Sequence, residues 1–201
     1  LYALLEEYEN KNPGLIKRIP IKVNGGLGPA LAKGIQCCSN ELVARMDTDD
    51  ISRKDRFEKQ LKTFIKYPKL DICGSWITEF EGTPENIVAK RQVPLKEAQI
   101  RKYQKKRDAF NHVTVMYRKS SVISAGNYQN APLMEDTMLW ANMLSKHARC
   151  MNIGEYLVNV RIGKDMYDRR GGWGYYKKYR DGRRMVLSTG YISYFDYLET
   201  I

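Results

Sequence analysis

Three carboxylates crowd into four residues at Asp47-Thr48-Asp49-Asp50, directly after the apolar-leaning segment Leu42-Val43-Ala44-Arg45-Met46. A strand that delivers clustered acids to one point is costly, because like charges at this spacing repel. A divalent cation is the usual remedy, since hard cations take oxygen ligands. The plainer alternative is a polar strand-to-helix turn carrying an N-cap.

The surroundings of this cluster read as alternating strands and helices. Leu1, Leu4, Leu5 and Tyr8 recur at helical spacing until Asn12-Pro13-Gly14, and Ile19–Val23 reads as a short strand. Asn24-Gly25-Gly26-Leu27-Gly28 is a glycine-rich loop, and Leu27, Leu31, Ile35 and Cys38 share one face of the helix that follows. Leu42–Met46 is the next strand. Ser52 then resembles an N-cap with Asp55 three residues on, opening a helix whose apolar stripe is Phe57, Leu61, Phe64 and Ile65. Further strands are expected over 71–80, 87–93, 113–117 and 156–162. Helices are expected from Pro94 to about Lys106, from Glu135 to Leu144, and twice within 175–201 with a break near Gly190. Strand, helix, strand, helix argues for an α/β fold on a mostly parallel sheet, where ligands sit at the carboxyl ends of strands.

Composition narrows the class. A chain of 201 residues with 43% hydrophobic and 28% charged residues is globular rather than disordered. No apolar run approaches the roughly 20 residues of a membrane span, and no signal-peptide pattern opens the chain. Cys37, Cys38, Cys73 and Cys150 form no C-x-x-C pair and read as reduced, packed thiols of a cytoplasmic protein. The net charge is +11, and residues 161–184 hold nine basic residues against three aspartates. Such a stretch fits an anionic partner: a membrane surface, a phosphate-bearing substrate or nucleic acid.

Several residues can carry chemistry. In an extended segment Asp47 and Asp49 leave on the same side, so both face one metal ion, or one binds metal while the other holds a ribose hydroxyl. Asp50 points away and caps the next helix. Glu135-Asp136 opens a helix after Asn130-Ala131-Pro132, either complementing the macrodipole or offering a general base. His112 is most often a satisfied structural residue in such a setting, yet an Asn111-His112 pair leading into a strand can also contact sugar hydroxyls. His147 is most simply a favourable cation at a helix C-terminus. Gly28, at the mouth of its helix, can approach a phosphate, although the loop lacks both the P-loop ending and the G-x-G-x-x-G spacing. Lys33, one turn on, reaches the same phosphate or is simply solvated.

Taken in order, these pieces resemble the family-two glycosyltransferases that build bacterial polysaccharides. The matching stretches are Asn24–Gly28 with Lys33-Gly34-Ile35, Ala44–Ser52, Gly74-Ser75-Trp76, Phe110-Asn111-His112, Ala125–Tyr128, Glu135-Asp136 with Leu139-Trp140, and Met166–Gly172. The resemblance implies a glycosyltransferase A-type fold, a nucleotide-diphosphate sugar donor and inversion at the anomeric carbon. Asp47 and Asp49 become a D-x-D motif, with Asp49 the direct ligand of Mn²⁺ or Mg²⁺. Asp136 matches the catalytic base, with Glu135 its neighbour. Asn111, His112, Arg169 and Arg170 fall to the acceptor or sugar, and Gly28 and Lys33 to the donor diphosphate.

The resemblance also sets expectations about organisation. It divides the chain into a catalytic domain, 1–160, lacking the first strand-helix-strand unit of the family, and a basic, aromatic helical extension, 161–201. A fragment of this kind is expected to bind nucleotide poorly and to be inactive alone. Ala32 stands where the family often has Asn, and Arg53-Lys54 where Pro is frequent. The acceptor is a glycan or a lipid-linked sugar. Trp173, Tyr175, Tyr176 and Tyr179 interleave with Lys and Arg, which fits either a solvated helical face or peripheral docking at the anionic inner membrane face. A basic module without catalysis, binding a membrane surface or nucleic acid, is the rival class. The clustered acids argue against nucleic acid as a partner. An aspartate-dependent phosphotransferase is a second rival, weakened by Ile51 following Asp50.

Overall fold

The computed structural model describes residues 2–131, 133–163 and 171–201. Its organising element is β3 (Ile72–Phe80), a nine-residue strand buried along nearly its whole length. One edge pairs in parallel with β6 (Cys150–Arg161), from Ile72 opposite Cys150 to Phe80 opposite Arg161. The other edge is divided: β5 (Met116–Arg118) takes Ile72 and Cys73, and β4 (Ile87–Arg91) takes Ile77 to Phe80. β1 (Leu42–Ala44) pairs antiparallel with β5, and β2 (Ile51–Ser52) antiparallel with β6.

The α/β architecture is as expected, but the sheet is mixed rather than mostly parallel. β1, β3 and β6 run one way, while β5, β4 and β2 run the other. The reason is connection length. Only residues 81–86 separate β3 from β4, far too few for the crossover that a parallel neighbour needs.

Alternation along β3 sends Ile72 to one face and Cys73 to the other. The first face is covered by α2 (Leu27–Cys37), α4 (Glu97–Gln104), α5 (Lys119–Ser124) and α6 (Glu135–Ser145). Ile35, Ile100, Val122, Leu139 and Trp140 meet Ile72, Phe110 and Tyr117 there. The second face carries α3 (Arg56–Lys66), whose Phe64 packs with Leu70, Cys73 and Met116. α7 (Gly172–Ser188) and α8 (Tyr194–Leu198) dock on α6, where Val186, Ile192 and Tyr197 join Met134, Met138 and Ala141. Gly190, at φ 74°, makes the turn between them.

Several local expectations are corrected. Residues 19–23 form no strand, because they find no pairing partner among the described residues, and an unpaired strand has no stability of its own. α1 (Tyr2–Lys11) forms as expected yet buries none of its residues. The stretch 113–117 divides into a 3-10 turn, His112–Thr114, and β5. The strand expected over 156–162 starts earlier, at Cys150, and ends at Arg161, whose guanidinium stacks 4.7 Å from the Phe80 ring.

The largest correction concerns α3. Ser52 pairs with Val158 in β2 and caps nothing, so the helix starts later, with Asp55 at its N-cap position. The buried stripe is Arg56, Gln60 and Phe64, while Phe57, Leu61 and Ile65 face outward. Hydrogen bonding decides this rotation. Arg56 donates Nη2 to the Arg45 carbonyl (2.8 Å) and Nε to Gln60 Oε1 (3.1 Å). Gln60 donates Nε2 to the carbonyls of Cys73 (3.0 Å) and Thr114 (2.8 Å), which lie beside the gap between β4 and β5. Buried carbonyls left without donors would cost more than the exposed stripe gains by burial.

Gln60→Leu is therefore expected to destabilise the protein by about 2–3 kcal/mol. Ile65→Ser, at a side chain 77% exposed, should stay within about 0.5 kcal/mol of the parent. Urea titration followed by tryptophan fluorescence separates the two.

Candidate active site

The acids sit where β1 ends. The chain does not continue extended; it turns, with Asp50 N donating to Asp47 O at 3.4 Å. The turn corrects the expected splaying of Asp50. One carboxylate oxygen from each of Asp47, Asp49 and Asp50 lies within 4.8 Å of the others. Asp50 caps the end of β6 instead of α3, accepting from Arg161 N at 2.9 Å, while Arg161 Nε donates to Asp49 O at 3.3 Å. Burial, followed by the charges of Asp47 and Asp49, raises the pKa of Asp50. Three converging hard oxygens, with Asp49 exposed, suit a Mg²⁺- or Mn²⁺-like cation.

Arg45 supplies the cation that this cluster already has. Its side chain is only 7% exposed, and Nη2 reaches Asp47 Oδ1 at 2.6 Å. Nε and Nη1 are buried with no hydrogen-bond acceptor among the described residues. Sequence reading passed Arg45 by as part of a strand. The available signal was its i, i+2 spacing from Asp47, which puts both side chains on one side of an extended segment.

Asp136 lies in the first turn of α6 and keeps 20% of its side chain exposed. Oδ1 accepts from Thr137 N (2.8 Å), and Oδ2 lies 3.7 Å from His112 Nδ1. Thr137 Oγ1 donates to Asp108 Oδ1 (2.7 Å), and Gln104 Nε2 donates to the same oxygen (3.0 Å). Burial raises the Asp136 carboxyl to about 8, and the nearby charges of Asp108 and Glu135 add to it. A helix N-terminus favours the anion, but desolvation and two neighbouring acids win. Asp108 carries no motif, and nothing in its local sequence marked it.

His112 sits behind Asp136. Its Nε2 is 2.8 Å from Tyr128 Oη, which is 3.3 Å from Tyr117 Oη. Burial first, then the charge of Arg45, hold its pKa well below the usual histidine value, so the ring is neutral. Asn111 is buried and donates Nδ2 to Ser75 O (2.8 Å). Its amide thus ties the turn to β3 rather than being offered to a sugar.

Gly28 is buried where α2 starts against the mouth of α6. A Cβ there would lie 2.2 Å from Gln129 O and 3.3 Å from Glu135 Cβ. The close approach of that carbonyl is by itself enough to require glycine here. Lys33 is exposed on α2, with no ion pair among the described residues. Arg169 and Arg170 lie outside the described residues.

The mixed α/β sheet, with acids at the end of one strand, has the A-type fold of glycosyltransferases. Residues 1–125 match the family Glycosyl transferase family 2, and the chain belongs to that family. It is 36% identical over 195 residues to the amylovoran biosynthesis glycosyltransferase AmsE of Erwinia amylovora, covering 96% of this chain and 72% of that one. It is 37% identical over 186 residues to a UDP-Gal:alpha-D-GlcNAc-diphosphoundecaprenol beta-1,3-galactosyltransferase of Escherichia coli, covering 92% and 67%. Among solved structures, Staphylococcus aureus TarS (residues 1–349, with UDP-GlcNAc) superposes with a TM-score of 0.67 at 15% identity. The match covers 92% of this chain and 54% of TarS. The mannosyltransferase PcManGT of Pyrobaculum calidifontis, with GDP-Man and Mn²⁺, gives 0.60 at 10% identity, covering 94% and 60%. The chain thus spans about half to three-quarters of the length of these proteins, and at such identities the structures speak for the fold alone.

Two outcomes test the geometry. Asp136 is held protonated by the fold, so folding stability falls as pH rises from the ordinary value of 3.8 through neutrality. Asp136→Asn should therefore melt a few degrees higher than the parent at pH 7, with the difference closing below about pH 4. Gly28→Ala should cost about 1–3 kcal/mol in urea titration, because a carbonyl must move.

Proposed function

We propose that the chain carries the centre of an inverting glycosyltransferase. It moves a sugar from a nucleotide-diphosphate donor to a hydroxyl acceptor during bacterial cell-surface polysaccharide synthesis. The observation that carries the reading is Asp136: a partly accessible carboxylate, one oxygen held by Thr137 N, the other directed at His112. Its raised pKa makes it a stronger base than an ordinary aspartate once deprotonated.

In the mechanism, Asp136 Oδ2 accepts the proton of the acceptor hydroxyl as that oxygen attacks the anomeric carbon. A carbon–oxygen bond forms on the face opposite the departing diphosphate, and the bond from that carbon to the diphosphate breaks. The donor leaves as nucleoside diphosphate, and inversion follows from attack on the far face. Asp47, Asp49 and Asp50 would hold Mn²⁺ or Mg²⁺, which when bound supplies charge neutralisation for the leaving group. Arg45, anchored on Asp47, places one more positive charge on this side.

The relatives guide the choice of substrates. One is named for UDP-Gal and a diphosphoundecaprenol-linked acceptor, and TarS was solved with UDP-GlcNAc. A uridine-diphosphate hexose and a lipid-diphosphate-linked acceptor are the substrates to try first. An anionic membrane as partner draws support from α7 and α8: Trp173 is 67% exposed with Lys177 Nζ 5.7 Å over its ring, and Phe195 is 79% exposed. No helix among the described residues is long and apolar enough to cross a membrane.

The test is a screen of sugar nucleotides with Mn²⁺, on the chain extended to the length of its relatives and scored by nucleoside diphosphate release. Asp136→Asn should lower turnover by at least about a hundredfold while leaving donor affinity within a few-fold. Retained turnover, or a loss fully accounted for by weaker donor binding, would remove Asp136 from the base role. Parent turnover should rise with pH through neutrality, since the carboxylate is the working form.

A further inference from the structure

We infer that Tyr128 is a positioning residue that fixes the tautomer of His112 and so aims the carboxylate of Asp136. This rests on the reading of Asp136 as the base, but its principal test does not.

The groups form one line. Tyr117 Oη lies 3.3 Å from Tyr128 Oη, Tyr128 Oη lies 2.8 Å from His112 Nε2, and His112 Nδ1 lies 3.7 Å from Asp136 Oδ2. A neutral imidazole has one donor and one acceptor nitrogen, and the bond made by one decides what the other presents. If Tyr128 donates to Nε2, the proton sits on Nδ1 and faces the carboxylate. The opposite tautomer turns a lone pair toward Asp136, which repels it once the carboxyl is ionised, as in the working form of the base. Tyr117 completes the order, because its hydroxyl can donate to Tyr128 and free the Tyr128 proton for His112. Every donor then points toward Asp136.

The surroundings hold this direction in place. Tyr117 and Tyr128 are buried, and their phenols are raised by burial, so both keep their protons. Arg45 faces His112 from the end of β1 and disfavours the imidazolium, which would erase the distinction between tautomers. Trp140 meets the ring edge-on at 5.8 Å, and Tyr128 packs on it at 5.5 Å, limiting ring rotation. Glu135 on α6 and Asp108 beside Thr137 are the other charges facing Asp136. The 3.7 Å separation is longer than a hydrogen bond, as is common where catalytic contacts tighten only with substrate.

The chain has two histidines, so His147→Asn leaves His112 as its single imidazole. His147 is exposed at φ 62°, a conformation that Asn accepts. In that background, nitrogen-15 NMR at about pH 9.5, where Asp136 is ionised, should show a neutral ring protonated at Nδ1. Tyr128→Phe should shift it to a mixture or to the Nε2-protonated form. A parent ring protonated at Nε2, a cationic ring, or a pattern unchanged by Tyr128→Phe overturns the proposal. If Tyr128→Phe does not fold, the parent spectrum alone decides. In the active enzyme, Tyr128→Phe should lower kcat by roughly tenfold with little change in KM, and should move the acid limb of the pH profile upward. The upward shift follows because the carboxylate loses a donor that favours its charged form. A purely packing role would leave that limb in place. Absence of transfer with the expected spectra would count against the base reading, not against the tautomer assignment.

Discussion

Two hydrogen bonds to the backbone of Ser75 hold the centre of this molecule together. Ser75 N donates to Thr114 Oγ1 at 2.9 Å, and Ser75 O accepts from Asn111 Nδ2 at 2.8 Å. They fall where β3 passes from β5 to β4 and has no strand on that edge. Side chains of the turn thus substitute for a missing neighbour, as buried peptide groups require. Gln60 reaches the same turn from the other side through Thr114 O, which explains why α3 buries a polar stripe. The turn so pinned is the one that carries His112 to Asp136. Filling a gap in the sheet and positioning a site are here one structural act.

The site it creates is electrostatically unfavourable in itself. Asp136 is pressed among Asp108 and Glu135 in a poorly solvated place, and three more acids converge at the end of β1. Arg45 offsets part of this through Asp47, yet two of its buried N–H groups find no acceptor among the described residues. Groups held this way cost stability and are ready to bind or to transfer protons. A transferase with an anionic leaving group and a hydroxyl nucleophile needs both: a place for cations, and a carboxylate that takes a proton near neutral pH.

Legibility differed from element to element. α2, α6 and the hairpin strand β3 could be read because their apolar positions recur with the period of the element and meet the core. α3 has just as clear an apolar stripe, and it misled, because Phe57, Leu61 and Ile65 face outward while Arg56 and Gln60 go in. Asp50 was misplaced because alternation along a strand was carried into a turn. Asp108, Tyr128 and Arg45 went unread as site residues, since each acts through groups distant in the chain.

The sequence by itself determined the family, through ordered short motifs, and marked candidate site residues: acids at a strand end, and Glu135-Asp136 opening a helix. These are local facts, set by residue type and spacing. Tertiary structure alone decided the strand directions, the rotation of α3, the convergence of Asp50 on Asp47 and Asp49, and the line from Tyr117 to Asp136. Each of those depends on which distant backbone groups lack a partner and which side chains can reach them. That question has no answer until the chain is folded, because buried polar groups choose partners by proximity in space, and sequence spacing does not encode it.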